Sequence, residues 1–422
     1  MVICMRNTEP ERKKLYIGID LDDNRVMISF LGPGEKEPVS ASVQKPEETG
    51  CFPTSLYIGK SDRYLYGAEA EKKCGSLEGE FYDHLFLRAR DQVDTETFVQ
   101  AAEHLAIYLR RLIRMKDRLY PEGDYEQHLL ITIPEITLSG VRVLKKMRDL
   151  LQNDVDSVSW IDYGESFYYY TFHQEPSVWK HDIAMFDFSE HRIRFTLLAR
   201  DGREMPQLVQ CGCREWETPY WPEDAGKEKD AFFANVLRQS FAKRIVSGVY
   251  LLGDGFDGNW LSETLRVLGP NRRVFIGKNL YTKGAAYGAY IRQNPTAWNY
   301  RYDCDYKTGT DVGLQLSADG EEIYYPLTVS GEDWFEQEKQ LDVILTGSTS
   351  IDFSVKRRVD RTPQLCTMQL DDVWKRAEKT RKIRIHTVCY DAHTLHVTVT
   401  DLGFGEFFAS TGSEWVEEIP LD

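Results

Sequence analysis

Two aspartates carry the first hint of chemistry. Asp20 ends the apolar run that opens residues 15–31, and Asp187 stands at the same place in 184–198. The two stretches align without gaps: Leu21 falls on Phe188, Asp23 on Glu190, Arg25 on Arg192, Val26 on Ile193, Ile28 on Phe195 and Ser29 on Thr196. Arms rich in Val, Ile and Phe around an Asp/Asn bend at 22–24 have the composition of a β-hairpin. Two such hairpins imply two related lobes that bring both carboxylates to a common cleft, where they could serve a ligand. An Asp at a strand end can equally do no more than shape its turn.

Other groups with chemical potential are less organised. The eight cysteines are scattered, and only Cys211 and Cys213 are close, separated by Gly212. No second Cys or His pair at zinc-finger spacing answers them, so plain reduced thiols are expected in preference to a metal or redox pair. His386, His393 and His396 share one expected hairpin but lack a matching carboxylate or Cys pattern, which leaves them as surface residues. Trp216, Tyr220 and Trp221 with Pro219 and Pro222 form either an aromatic contact patch or a rigid, packed loop.

The elements that must position these residues follow from periodicity. After the first hairpin, 33–49 reads as a loop, 52–58 as a short strand, and 64–73 as a strand leading into a helix. Residues 97–118 approximate helical spacing with Asp94 or Thr95 as N-cap. The cations Arg110, Arg111, Arg114, Lys116 and Arg118 crowd its C-terminal end, where they complement the helix dipole as a solvated basic end. A buried-type strand is expected at 128–134 and an amphipathic helix after it with Ser139 as N-cap. A strand follows at 155–161, then a Tyr-rich stretch at 162–172 that packs on another element. The second hairpin covers 182–200. An acidic, Trp/Pro-rich loop at 214–228 and a helix at 229–243 come next. Then stand a strand at 249–252, the Gly-rich turn 253–258, a helix at 260–268, a strand at 274–276 and a Gly/Ala helix at 283–292 whose small face admits a close neighbour. From 303 onward the pattern alternates at period two, with a hairpin at Asp319-Gly320 and only 371–379 reading as helix. That describes a β-rich domain, expected as a sandwich.

Bulk properties bound the partners. A chain of 422 residues exceeds a single core, and 42% hydrophobic residues are enough to fold throughout. A net charge of −15 disfavours nonspecific binding to nucleic acid or anionic membrane. No run of eighteen apolar residues exists to span a bilayer. Residues 1–14 read as a flexible lead-in without the apolar core of a signal peptide, so a cytoplasmic location is expected.

A strand-turn-strand with Asp, its second copy, a strand ending in a Gly-rich turn and a closing Gly/Ala helix form a recognisable order. Across about 15–295 the chain resembles the actin, heat-shock-chaperone and sugar-kinase ATPase superfamily, and looks most like the seventy-kilodalton heat-shock chaperones. Ile17-Gly18-Ile19-Asp20-Leu21 is similar to the first phosphate motif, Tyr66-Gly67-Ala68-Glu69-Ala70 to a Gly-x-x-Ala element, and Ile131-Thr132-Ile133-Pro134 to the central strand. Residues 184–188 occupy the second phosphate motif, 251–255 the adenosine motif and 283–289 the last hinge helix. The resemblance implies an α/β fold of two actin-like ATPase lobes, 15–180 and a shortened 181–297, followed by the β-rich domain at 303–422. In the last domain, 311–314 and 401–405 are only faintly similar to the family's peptide-binding sandwich.

The resemblance also implies a site. ATP and Mg²⁺ would lie between the hairpin turns, with Asp20 and Asp187 facing the metal and Glu165 near the position of the family's cleft Glu. Gly18, Asp20, Asp22, Asp187, Ser189, Gly253 and Gly255 would face the nucleotide. The donors depart from the family pattern. Asp22, Asp23 and Asn24 stand where Gly and Thr or Ser are expected, and Phe188, Ser189, Glu190 and His191 replace a Gly/Thr run. Asp254 interrupts the Gly pair. A carboxylate about 4 Å from a phosphate charge costs on the order of 4 kcal/mol at an effective dielectric near 20. That exceeds a few hydrogen bonds worth about 1 kcal/mol each. The expectation is therefore an interaction protein of the heat-shock-chaperone-like kind, with a protein or peptide partner and weak, altered or lost nucleotide binding. The alternative is a working ATP-hydrolysing chaperone that binds polypeptide through its β domain.

Overall fold

The computed structural model describes residues 12–42, 50–60, 63–121, 123–189, 191–203, 205–222, 225–318, 320–346, 349–358, 360–370, 380–406 and 408–422. The helix expected at 371–379, most of the lead-in, and Glu190 and Asp319 lie outside the described residues. The chain divides into two compact units, Met1–Tyr302 and Asp303–Asp422.

In the first unit, β1 (Lys13–Leu21) and β2 (Arg25–Leu31) pair antiparallel through the turn, and β3 (Val39–Ser40) adds to β2. This short strand falls inside the expected loop, because Ser29 and Ser40 join side chain to side chain at 2.8 Å across the ladder. A peripheral segment then contributes β4 (Phe52–Pro53), β5 (Leu56–Gly59), β6 (Arg63–Tyr66), α1 (Ala68–Glu71), β7 (Gly79–Tyr82) and α2 (Leu85–Asp91). It is followed by α3 (Phe98–Ile113) and α4 (Lys116–Leu119). The chain re-enters the sheet with β8 (Tyr125–Ile133), parallel to β1, and after α5 (Leu138–Leu151) adds β9 (Ser157–Asp162), parallel to β8. Thr137, not Ser139, caps α5: its hydroxyl accepts the Gly140 amide at 3.2 Å from an extended backbone. The Tyr-rich stretch is α6 (Tyr163–Phe172).

The second half repeats the plan. Strands β10 (Asp182–Ser189) and β11 (Arg192–Asp201) form the hairpin, β12 (Gln207–Glu217) extends it, and α7 (Gly226–Ser240) leads to β13 (Val246–Leu252), parallel to β10. Helix α8 (Ser262–Leu268), β14 (Arg273–Gly277) and α9 (Leu280–Gln293) complete it, and β15 (Tyr300–Asp303) pairs at the edge beside β12. Strand β12 is where the sequence reading placed the start of a loop. Its Cys, Arg, Glu and Trp residues sit on an outer strand, half of whose side chains meet solvent, so no buried apolar run marks it.

Both sheets share one order: third strand, second, first, fourth, fifth, as β3-β2-β1-β8-β9 and β12-β11-β10-β13-β14. The equivalence holds to the residue. Asp20 pairs with Met27 and Thr132, and Asp187 with Arg194 and Leu252, at matching rungs of the two ladders. A duplicated five-strand order with the second strand antiparallel is the two-lobed actin-like architecture that the motifs imply.

Two helices tie the lobes together. Helix α9, which follows the second sheet, packs on β1, β2 and β8 of the first. A Cβ on Gly18 would lie 2.1 Å from the Thr282 carbonyl oxygen, so only glycine lets the strand and this helix approach so closely. Helix α6, which follows the first sheet, sets Phe167 and Tyr170 edge-on against Tyr250 of β13. The two helices also pack on each other, with Gly284 facing Ser166. An aromatic core of Phe186, Phe188, Phe195, Phe233 and Phe256 fills the second lobe under α7 and α8.

The second unit holds two four-stranded antiparallel sheets. One has β16 (Thr310–Ala318), β17 (Glu321–Thr328), β19 (Ser350–Arg357) and β20 (Gln364–Gln369); the other has β18 (Lys339–Ile344), β21 (Lys382–Cys389), β22 (Thr394–Asp401) and β23 (Glu414–Pro420). Side chains of β21 and β22 alternate between buried and half-exposed along their whole length. One apolar face per sheet is what a sandwich requires.

Candidate functional site

Strand β1 delivers Asp20 to the cleft between the lobes with only 6% of its surface exposed. Its Oδ1 accepts a hydrogen bond of 2.8 Å from the hydroxyl of Tyr163. That tyrosine opens α6, whose N-cap is Asp162, which accepts the Glu165 amide at 2.7 Å. Strand β10 delivers Asp187 in the same way. Its Oδ1 accepts from the Ser189 hydroxyl at 2.6 Å and its Oδ2 from the Tyr281 hydroxyl at 3.0 Å. Tyr281 stands near the start of α9. The rings of Tyr163 and Tyr281 stack with centroids 3.7 Å apart and planes 12° from parallel. Each strand-end carboxylate is thus covered by a tyrosine from its own lobe, and the two tyrosines meet face to face.

Burial sets the electrostatics. Desolvation, with a smaller push from the Asp22 charge, raises the Asp20 carboxyl to about 7, against the pull of Tyr163 and Arg25. Burial, reinforced by the neighbouring carboxylates, also lifts both tyrosine hydroxyls well above their ordinary value, so they stay neutral donors.

The first turn is also self-satisfied. Asp22 Oδ1 accepts the amides of Asn24 and Arg25 at 2.7 and 2.8 Å, and its Oδ2 meets Arg25 Nε at 3.1 Å. These amides are the donors a phosphate cradle would use. Here the chain supplies the anion. Asp23, the next residue, is held by Arg90 at 2.6 and 2.8 Å.

In the second lobe, Gly253 has a φ of 91°, and a Cβ there would lie 2.4 Å from the Phe188 carbonyl oxygen. A Cβ on Gly255 would strike the Phe188 ring at 2.3 Å. Both glycines therefore serve a tight turn packed on Phe188.

What remains open is a cleft of about 490 Å³ whose walls include Asp23, Arg25, Glu135, Arg192 and Asp254. Arg194 crosses it from the second hairpin, donating to the Pro134 carbonyl at 2.8 Å while bound to Glu215 at 2.7 Å. Glu165 is not among the residues lining this cleft: it is buried, with Arg292 at 3.3 Å. Gly18 lies mid-strand under α9. Of the sequence-predicted residues, Asp22, Asp187 and Ser189 line the cleft and Asp20 lies directly behind Tyr163.

Magnesium shared by two carboxylates needs their oxygens ionised and free. Burial raises the Asp20 carboxyl to about 7, so near neutrality it is only partly ionised, and three carboxylate oxygens of the pair already accept hydroxyls. The residues present do not fit that ion. Among the described residues no group of three His, Cys, Asp or Glu gathers as a metal site. No helix among them is long and apolar enough to cross a membrane.

Tyr163 and Tyr281 escaped the sequence reading. Tyr163 lay in a Tyr-rich stretch read only as packing, and Tyr281 carried no motif. A possible signal was their shared place at the start of the helix after the fifth strand of each lobe.

Comparison with known proteins adds little chemistry. No curated protein matches the sequence. Among solved structures, a non-polymerising mutant of MamK bound to AMPPNP is similar over 67% of this chain and 100% of that chain, at 10% identity and a TM-score of 0.39. The model of a domain of unknown function, DUF8552, matches residues 307–421. The model of a family of unknown function, DUF5716 (C-terminal), matches residues 37–305. The chain belongs to this DUF5716 family.

Proposed function

We propose that the chain is an interaction protein on an actin-like ATPase scaffold, with the carboxylate oxygens and first-turn amides of its nucleotide cleft taken up by its own side chains. The carrying observation is the stacked pair Tyr163–Tyr281, which joins the two lobes while binding Asp20 and Asp187. A scaffold kept for closing on nucleotide would hold these oxygens open; this one spends them on internal hydrogen bonds. The self-capped turn at Asp22 supports the same reading.

The heat-shock-chaperone likeness of the motifs belongs to this proposal as the scaffold's origin. The β-rich unit offers partner-binding surface. Its edge strands β17, β18, β20 and β23 expose Tyr324, Ile344, Leu365 and Val416, and an added strand can pair with such an edge.

Thermal unfolding with and without millimolar MgATP tests the reading. A ligand at a hundred times its dissociation constant adds about 2.7 kcal/mol of stability, a visible shift. The expected result is an unchanged melting temperature. A clear upward shift that Asp187→Ala abolishes would overturn the proposal in favour of a working ATP-hydrolysing, chaperone-like protein.

A further inference from the structure

The basic end of α3 does more than complement a helix dipole. Arg114 and Met115 keep right-handed helical backbone angles between α3 and α4, so Arg111, Arg114 and Arg118 form one row along a nearly continuous coil. They line a groove of about 680 Å³ with Lys72, which comes from the C-terminal end of α1 on the facing wall. Between them the groove exposes apolar surface from Phe52, Tyr66 and Met115. Tyr108 ties the walls together, its hydroxyl donating to the Pro53 carbonyl at 2.6 Å. The Arg111 guanidinium lies 5.9 Å from the Tyr66 ring centroid.

The pairing pattern separates this row from its neighbour. Arg110, the adjacent residue, is consumed by Asp154 at 2.8 Å. Among the described residues, no carboxylate ion pair holds Lys72, Arg111, Arg114 or Arg118. Glu69 and Asp117 also border the groove, leaving cations in excess on a chain whose net charge is −15.

We infer that this groove docks an acidic peptide segment of a protein partner, with a bulky apolar side chain seated between the cations. The row fits an extended chain. Seven helical residues from Arg111 to Arg118 span about 10 Å at 1.5 Å per residue, the reach of roughly three extended residues at about 3.3 Å each. Carboxylates spaced along a strand can meet all three guanidiniums, whereas one small anionic head group cannot. The apolar floor supplies an anchor, and the cations supply register and steering. This assignment rests on the interaction-protein reading in asking for a protein partner, but not on the state of the cleft.

The test is fluorescence anisotropy with the full chain and a fluorescein-labelled peptide of eight glutamates around two phenylalanines. The expected result is salt-sensitive micromolar binding, weakened at least about tenfold by Arg111→Glu with Arg114→Glu. Both arginines are exposed, so far-UV circular dichroism of the variant should match the parent. Lys72→Glu, on the other wall, is the second variant and should weaken binding in the same direction. The inference is overturned by no binding at millimolar chain, by binding that neither variant changes, or by equal binding when serines replace the phenylalanines. Tighter binding of an oligothymidylate to the same residues would overturn it as well. MgATP response reads out the cleft separately, so failure at the groove and failure at the cleft are distinguishable.

Discussion

The two hairpin turns occupy equivalent rungs of equivalent sheets, yet they satisfy their carboxylates differently. In the first lobe Asp20 is paired across the hairpin with Met27 and its carboxylate accepts from the Tyr163 hydroxyl. In the second, Asp187 is paired with Arg194 and accepts from both Ser189 and Tyr281. The duplication has preserved backbone register and helix crossing while the polar contacts diverged. What constrains both lobes alike is packing: helices α6 and α9 must cross to the opposite sheet, and the close approaches at Gly18 and Gly284 permit it.

The most damaging change should therefore be steric. Gly18→Val drives a side chain into backbone at the Thr282 carbonyl, where nothing flexible can move aside. A loss of about 4 kcal/mol or more is expected, read as a collapsed denaturant midpoint or loss of soluble protein. A midpoint like the parent's would show that α9 does not rest on β1 as described.

The next effect is read through pH at the first aspartate. Asp20 binds its proton more tightly folded, at about 7, than a free Asp near 4, so the folded state carries more protons across that window. Its stability contribution is full below the lower value and is lost as pH rises to the upper one. Asp20→Asn keeps an acceptor for Tyr163 and removes that loss, stabilising the chain by up to about 4 kcal/mol at pH 8 and little at pH 4. Asp162, also raised to about 7 chiefly by burial, keeps its own share of the slope. Denaturant titrations at the two pH values check this; equal effects at both would remove the buried-acid account.

Smaller still are the hydroxyl deletions. Tyr163→Phe strips Asp20 of its donor and should cost about 1–3 kcal/mol, the penalty for leaving a buried polar group unmatched. Tyr281→Phe leaves Asp187 with Ser189 and should cost under about 1 kcal/mol. Chemical denaturation of the two variants side by side measures the asymmetry, and reversal of the order would mean that Asp187, not Asp20, is the more dependent group.

The fold was legible because a duplicated, strongly apolar hairpin leaves a duplicated pattern. Helices α3 and α5 followed from their apolar spacing, and α9 from its Gly- and Ala-rich run. Strand β12 was not legible, since most of its residues meet solvent and it lacks a continuous apolar run. The capping of α5 was misassigned because Thr137 and Ser139 are equally good caps by type, and backbone conformation chose between them. At the site, the residues Asp20, Asp22 and Asp187 could be named, but not the direction in which their oxygens point. The Asp22 carboxylate was expected to repel a phosphate; it folds back onto the amides of Asn24 and Arg25.

The sequence by itself determined the two hairpins, their matching aspartates and the alternation that makes the last unit β-rich, because each rests on local periodicity and composition. Tertiary structure alone decided that Tyr163 and Tyr281, far apart in the chain and on different lobes, stack over those aspartates. It also decided which arginines of the basic stretch are consumed by a partner carboxylate and which face the groove. Stacking and ion pairing depend on where separate elements come to rest, and no local pattern of residues encodes that.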